Sequence, residues 1–307
     1  MQPTHTPFDG STKPFTIGLK PLDLAEWIEV DETYDFQMRE KRRIYAENFD
    51  KVFVAEENTE AAQAEVLALI DEHMREHFPA LEGSHRSSDR AELGHLLPQG
   101  EKEEPAQPLV TASLLVQEDM ILMRQGPDGW RLAAGSLCFP SSWSLTEKFG
   151  KPMHEIHEPV PQFGPGTRMA ELIARMFDRL QPGSPVQRFN WSIQSGDALY
   201  HPMSHEGRIE RAAGRVSKFP GADAAAYAFI RVERQTLRKL PQSGDILFTI
   251  RIYLDPMAVL ARHPDRATLA ASFAEQLQAL DTSQLDYKGL ASDRDRLVGL
   301  LQGIAAS

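Results

Sequence analysis

A single cysteine among 307 residues removes several possibilities at once. Cys138 has no second thiol with which to close an internal disulfide, and no ferredoxin-like cysteine set or Cys-rich zinc site can be built from it. Positive charge is also scarce: 33 Lys and Arg against 44 Asp and Glu leave a formal charge of −11, so duplex nucleic acid would be repelled unless a basic patch were segregated. No apolar run approaches the roughly 20 residues that span a bilayer, since SLLV and ILFTI are only strand-sized. The opening MQPTHTPFDG lacks the charged-then-apolar pattern of a secretory signal, which with the lone thiol predicts a reducing cytoplasm. A glycine-rich phosphate loop and internal repeats are missing too, which disfavours a nucleotide-binding α/β enzyme.

What is present reads as an α+β protein. The first 30 residues carry scattered apolar positions among Pro, Thr and Asp and are expected to form an arm ordered by another surface. Val66, Leu67, Ile70, Met74 and Phe78 recur at helical spacing after Thr59 and before Pro79, predicting an amphipathic helix. A polar, proline-bearing stretch over 83–108, with only Leu93, Leu96 and Leu97 clustered in it, reads as a boundary or long connection. Beyond it LVTASLLVQEDMILMR is expected to form two strands joined at Gln117 to Asp119, with WRLAAGSLCF as a third extended segment. TRMAELIARMFDRL returns to a helical period, and strand-like segments resume at RFNWSIQ, AYAFIRVERQTLRKL and ILFTIRIYL. Leucine stripes after Pro256 predict a helical tail. The expected organisation is an N-terminal arm and helical region over 1–104, a central domain over 105–256 with an antiparallel sheet covered by helices, and a C-terminal helical tail over 257–307.

The run HEIHEPVP holds the most conspicuous candidate ligands, His154 and His157. Spaced three apart, they share a face on a helix but oppose one another on a strand. Pro159 and Pro161 limit any helix to a single turn before them, so only one imidazole needs to point inward. A zinc ion would want further close ligands, for which no partner motif exists, whereas haem needs one protein ligand because the porphyrin provides the rest. Glu155 or Glu158 could accept the outer imidazole N–H. Solvated loop histidines remain the plain alternative, as does a small buried hydrophobe for Cys138. In AFIRVERQTLRKL, Ala228, Ile230 and Val232 alternate toward one face and Arg234 continues on it; Leu247, Thr249, Arg251 and Tyr253 share a parity on the next strand. An inward arginine requires an anion, either a haem propionate or bound acid, or a protein carboxylate such as Glu233 or Asp245. Arg168 at a helix start could face the same pocket, and Trp130, Trp143 and Trp191 could supply flat apolar surface.

The strings LAAGSLCFPSSWSLTEKFGKPMHEIHEPVP, RMFDRL, NWSI, RVERQTLRKLP and FTIRIY resemble the haem-dependent oxidative N-demethylase family over roughly residues 30–300. The resemblance implies a PAS-like α+β domain that binds haem b and uses O2 to oxidise a methyl group on a small amine, releasing formaldehyde. It also implies an NADPH-dependent flavin and iron–sulfur reductase and a folate-binding formaldehyde acceptor as partners, since nothing here binds NADPH or an iron–sulfur cluster. With haem implied, His157 becomes the expected axial metal ligand, with His154 second; Arg234, Arg251 and Arg168 become cofactor-binding candidates. Glu233 and Tyr253 become candidates to hold an ammonium or relay protons. A haem-PAS gas or redox sensor without turnover is the alternative of another class, and a scaffold without haem is a third.

Overall fold

The computed structural model describes residues 2–81, 107–221 and 227–307. The Leu93, Leu96 and Leu97 cluster lies outside the described residues. Among the described residues seven strands form one sheet: β1 (Lys20–Pro21), β2 (Phe53–Ala55), β3 (Asp119–Gly126), β4 (Gly129–Ser136), β5 (Val186–Ser195), β6 (Ala228–Lys239) and β7 (Ile246–Pro256). Their spatial order is β1-β5-β6-β7-β3-β4-β2, and all the pairings are antiparallel. Both edge strands are short and come from the chain before residue 105, so the N-terminal region closes the sheet at its two ends. Around it lie α1 (Tyr34–Val52), α2 (Glu60–His77), α3 (Pro108–Ser113), α4 (Leu145–Lys148), α5 (Met153–Ile156), α6 (Arg168–Arg179), α7 (His205–Gly214), α8 (Arg266–Gln278), α9 (Thr282–Lys288) and α10 (Arg294–Ala306). The expected α+β class with an antiparallel sheet is what the structure shows.

One local expectation is corrected. LVTASLLV is not a strand: Pro108 starts helix α3, where its fixed φ suits the first turn, and Leu109, Val110, Ala112 and Ser113 are all buried. A continuous apolar run carries no period by which to tell a buried helix from a buried strand. The hairpin is therefore formed one segment later, by β3 and β4, with Gly126 opposite Gly129.

The period-2 geometry of β6 and β7 divides their chemistry between two faces. Glu233, Gln235 and Leu237, with Phe248 and Ile250, face a cavity covered by α4 to α7. On the opposite face Ile230 and Val232 join a core with Phe273, Leu277, Leu297 and Leu301 of the C-terminal helices. Farther along that face, Met120, Leu122 and Leu247 pack with Val66, Ile70 and Met74 of α2.

Arg234 and Arg251 lie on this second face, each about 1% exposed. Arg234 donates to the carbonyls of Trp27 (3.0 Å) and Glu26 (2.5 Å), to Gln187 Oε1 (2.9 Å), and pairs with Glu29 at 3.1 Å. Arg251 donates to Asp31 (2.7 Å), to Gln37 Oε1 (2.8 Å) and to its neighbour's carbonyl (2.5 Å). The Tyr253 hydroxyl donates to Glu29, which His5 also contacts at 2.8 Å. Two buried guanidiniums thus bind a chain segment some two hundred positions earlier and hold it across the sheet.

Burial alone would raise the Asp31 pKa, but the Arg251 charge and the Thr33 and Gln117 hydrogen bonds outweigh it and hold the carboxyl below its ordinary value of 3.8. A depressed folded pKa stabilises the fold above the unfolded value, and that stabilisation is lost as pH falls through the folded one. Urea unfolding should accordingly show stability falling on acidification below about pH 4. Asp31→Asn should lose on the order of 3 kcal/mol at neutral pH by leaving Arg251 with an uncompensated charge, and should weaken that acid dependence. Stability equal to the parent at pH 7 would show that the pair does not hold the segment.

Candidate functional site

The cavity has a volume of about 510 Å³, within the range of small-molecule and cofactor sites. Its apolar wall is built from Ile121 and Met123 of β3, Leu132 of β4, Ile173, Met176 and Phe177 of α6, and Phe163. The amphipathic period of α6 explains the last helix: Ile173 and Phe177 are one turn apart, and Thr167 caps the helix by accepting from the Ala170 N–H at 3.2 Å. Phe15, Ile17 and Leu19 of the N-terminal arm complete the enclosure.

The remaining wall is cationic. Lys148, Arg188, Arg208, Arg211, Lys218 and Lys288 line the cavity, against one carboxylate, Glu233. β5 delivers Arg188, Asn190, Ser192 and Gln194 to this wall by alternation, while Trp191 between them turns to the other face and donates to Gln276 at 2.9 Å. Helix α7 supplies Arg208 and Arg211 from neighbouring turns. Gly289 ends α9 at φ +62 and leaves room for Arg211, whose Nε would lie 2.8 Å from any Cβ at that position.

Most of these cations bind neutral groups. Lys288 donates to the Trp191 carbonyl (2.6 Å), and Lys218 to the carbonyls of Ile193 (2.9 Å) and Lys288 (2.8 Å). Arg211 donates to Ser142 Oγ and the Tyr287 carbonyl, both at 3.0 Å. Arg208 reaches the Ser142 carbonyl at 3.4 Å and His205 Nδ1 at 3.3 Å. The Nε atoms of Arg188, Arg208 and Arg211 are buried with no hydrogen-bond partner among the described residues. Burial and the neighbouring charges of Arg208 and Lys151 push the Lys148 pKa down to about 7, against the opposing pull of Glu233 and Glu147; burial likewise brings Lys218 to about 7. Such a wall is suited to an anion that the protein itself does not provide.

His157 caps the single turn α5 and lines the cavity, as the pair of following prolines leads one to expect for one inward imidazole. Burial, reinforced by the positive charges of Lys148 and Arg188, lowers its pKa to about 4, so the ring is neutral at pH 7 and has a nitrogen lone pair free for a metal. His154 does not line the large cavity; it borders a small adjoining space of about 50 Å³. A second imidazole, His201, also faces the cavity, and its buried Nε2 has no partner among the described residues. Among the described residues no cluster of three or more His, Cys, Asp or Glu could cage a free metal ion.

Of the candidates named from sequence, the cavity brings together His157, Glu233 and Trp143, and it excludes others. Arg234, Arg251 and Tyr253 do not reach it: they are on the opposite face of the sheet, paired with Glu29 and Asp31. Tyr253 is pushed well above its ordinary pKa by burial and by its carboxylate neighbour. Arg168 is exposed at the start of α6 and does not line the cavity. Cys138 is fully buried outside the cavity, and burial raises its pKa well above the ordinary thiol value, as befits a small packed side chain. The residues missed by sequence are Lys148, Arg188, Arg208, Arg211, Lys218, Lys288 and His201. For Arg188 a signal existed, because RFNWSIQ alternates polar and apolar residues; a polar face there needs something polar to meet.

A family model described as haem-dependent oxidative N-demethylase, alpha subunit-like, matches residues 18–298. The chain belongs to this family. Membership of the demethylase family makes haem the cofactor expected of the chain, and an apolar wall, a neutral imidazole and unpartnered guanidinium atoms are the features an amphipathic macrocycle with two carboxylates requires. The residues present therefore fit the group. Among the described residues no helix is long and apolar enough to cross a membrane.

The Lys148 Nζ sits 4.3 Å from the Trp143 ring centroid, which gives its ionisation an optical reporter. Trp143 emission should change with a midpoint near pH 7, the ammonium being present below it and lost above. The transition should vanish in Trp143→Phe and in Lys148→Met. A transition that survives Lys148→Met would assign it to another group.

Proposed function

We propose that this chain is the haem-binding subunit of an oxidative N-demethylase acting on a small methylated amine, with the cavity as the site for haem b and His157 as the residue that would hold it. The observation that carries the proposal is a cavity whose apolar wall meets a neutral imidazole while its cations form no ion pair with a described carboxylate. A cavity between an antiparallel sheet and short covering helices also supports the PAS-like arrangement expected of the haem domain.

His157 would hold the iron, and Arg208 with Arg211, whose present partners include no carboxylate, would take the propionates. These assignments replace Arg234, Arg251 and Arg168, which the fold keeps out of the cavity. The haem supplies O2 activation, the chemistry no side chain can provide. Glu233 would receive the methylated ammonium; Gln235 donates to its Oε2 at 2.9 Å and so fixes the carboxylate, whose Oε1 takes no hydrogen bond from the described residues. The apolar wall excludes bulk water and strengthens these contacts. Removing one methyl group consumes O2, a pair of electrons and a pair of protons, and yields formaldehyde, water and the demethylated amine. Electrons would come from an NADPH-dependent flavin and iron–sulfur reductase, and a folate-binding partner would accept the formaldehyde.

Haem titration followed by absorption tests the proposal. The expected outcome is a Soret band saturating at one haem per chain, lost or shifted in His157→Ala and retained in His154→Ala. Retention in His157→Ala with loss in His201→Ala would move the ligand to the second cavity imidazole, and no Soret band from folded protein would reject the haem site. With O2 and small secondary or tertiary methylamines, formaldehyde should form in repeated turnovers only when NADPH and a reductase are both supplied. Turnover with NADPH alone would refute the partner requirement; haem reduction and O2 binding with no product from any amine would instead indicate a sensor.

A further inference from the structure

Arg188 and Glu233 stand side by side without pairing. The register places Asn190 opposite Glu233 and Arg188 opposite Gln235, so the two charged residues are diagonal neighbours on adjacent strands, both on the cavity face. Opposite charges in this relation are within reach of one another across a sheet. Here no ion pair joins them, and Glu233 receives a hydrogen bond from the neutral Gln235. Arg188 differs from the other cavity arginines in donating to no described residue, and its Nε is buried. A guanidinium and a carboxylate both open to one cavity form a receptor for a ligand that carries both charges.

The rest of the wall points the same way. Six cationic side chains and one carboxylate line the cavity, so a simple methylammonium ion meets an excess of positive charge even after two propionates are added. A zwitterion brings no net charge into that field and places an anion where one is wanted.

We infer that the substrate is an N-methylated amino acid, its carboxylate held by Arg188 and its methylated ammonium by Glu233. This rests on the demethylase proposal for the cavity and narrows it from any small amine to a zwitterionic one. Arg188 is the specificity-determining residue, and Glu233 serves either class of amine. Neither role uses the Arg208 and Arg211 pair, which remains available for the cofactor.

Calorimetry on the haem-loaded chain, without reductant, tests the inference with N-methylglycine and dimethylamine as the probes. N-methylglycine should bind about tenfold or more tightly than dimethylamine. Arg188→Gln should weaken N-methylglycine by about tenfold and leave dimethylamine within about twofold, with the Soret band unchanged; Glu233→Gln should weaken both. Dimethylamine binding as tightly as N-methylglycine to the parent chain would overturn the inference, and that comparison needs no variant to fold. Equal weakening of both ligands in Arg188→Gln, or loss of haem from it, would also overturn the inference and assign Arg188 to the cofactor. The two proposals fail separately, because a sample without a Soret band counts against the haem site while its calorimetric ratio still decides the ligand class.

Discussion

Successive side chains on a strand point to opposite faces, and in β6 that rule separates Glu233 from Arg234. Glu233 enters the cavity; Arg234 goes to the other side and binds the segment over 26–29. β7 repeats the division, with Phe248 and Ile250 on the cavity wall and Arg251 and Tyr253 on the far face. A one-residue slip in register would put two buried guanidiniums into the cavity and its carboxylate into a core of leucines. The far-face ion pairs make such a slip costly, since each guanidinium would lose its carboxylate while still buried. The cavity therefore depends on contacts that are not in it.

The wall opposite the sheet is held by a second set of buried charges. Lys41 donates to the carbonyls of Ser113, Val116 and Glu118, and lies 3.7 Å from Asp119. Asp119 accepts the N–H groups of Cys138 (2.9 Å) and Phe139 (2.7 Å), fixing the chain just before Ser141, Ser142 and Trp143 reach the cavity. Arg231 extends the framework by donating to the Phe139 carbonyl at 2.6 Å and the Leu199 carbonyl at 3.3 Å, beside His201. The buried Lys41, Arg234 and Arg251 thus each lie within 4 Å of a carboxylate, whereas the cavity cations form no ion pair with a described carboxylate. That contrast distinguishes the site from ordinary buried charge.

Much of this was legible in the sequence. The helical stripes of α2, α6 and α8 fall where they were expected, and the shared faces of Ala228 to Arg234 and of Leu247 to Tyr253 are those of the structure. Pro159 and Pro161 correctly limited the preceding helix to one turn. What periodicity does not specify is which face of a strand is hollow. Arg234 and Arg251 do turn inward together, but their anions are Glu29 and Asp31, about two hundred positions away in a segment without a periodic signature. The cationic wall was hidden for the same reason: Lys148, Arg188, Arg208 and Lys288 come from four separate elements and meet only in the folded chain. LVTASLLV failed differently, because its unbroken apolar character had no period to report.

The central claim is that the cofactor lies on the Glu233 face of the sheet, against His157. Anomalous X-ray diffraction at the iron absorption edge, from crystals of the haem-loaded chain, locates the metal without assuming any ligand. The account predicts one iron peak per chain, in the cavity and within coordination distance of the His157 ring. A peak on the Arg234 and Tyr253 face, or outside the cavity altogether, would contradict it.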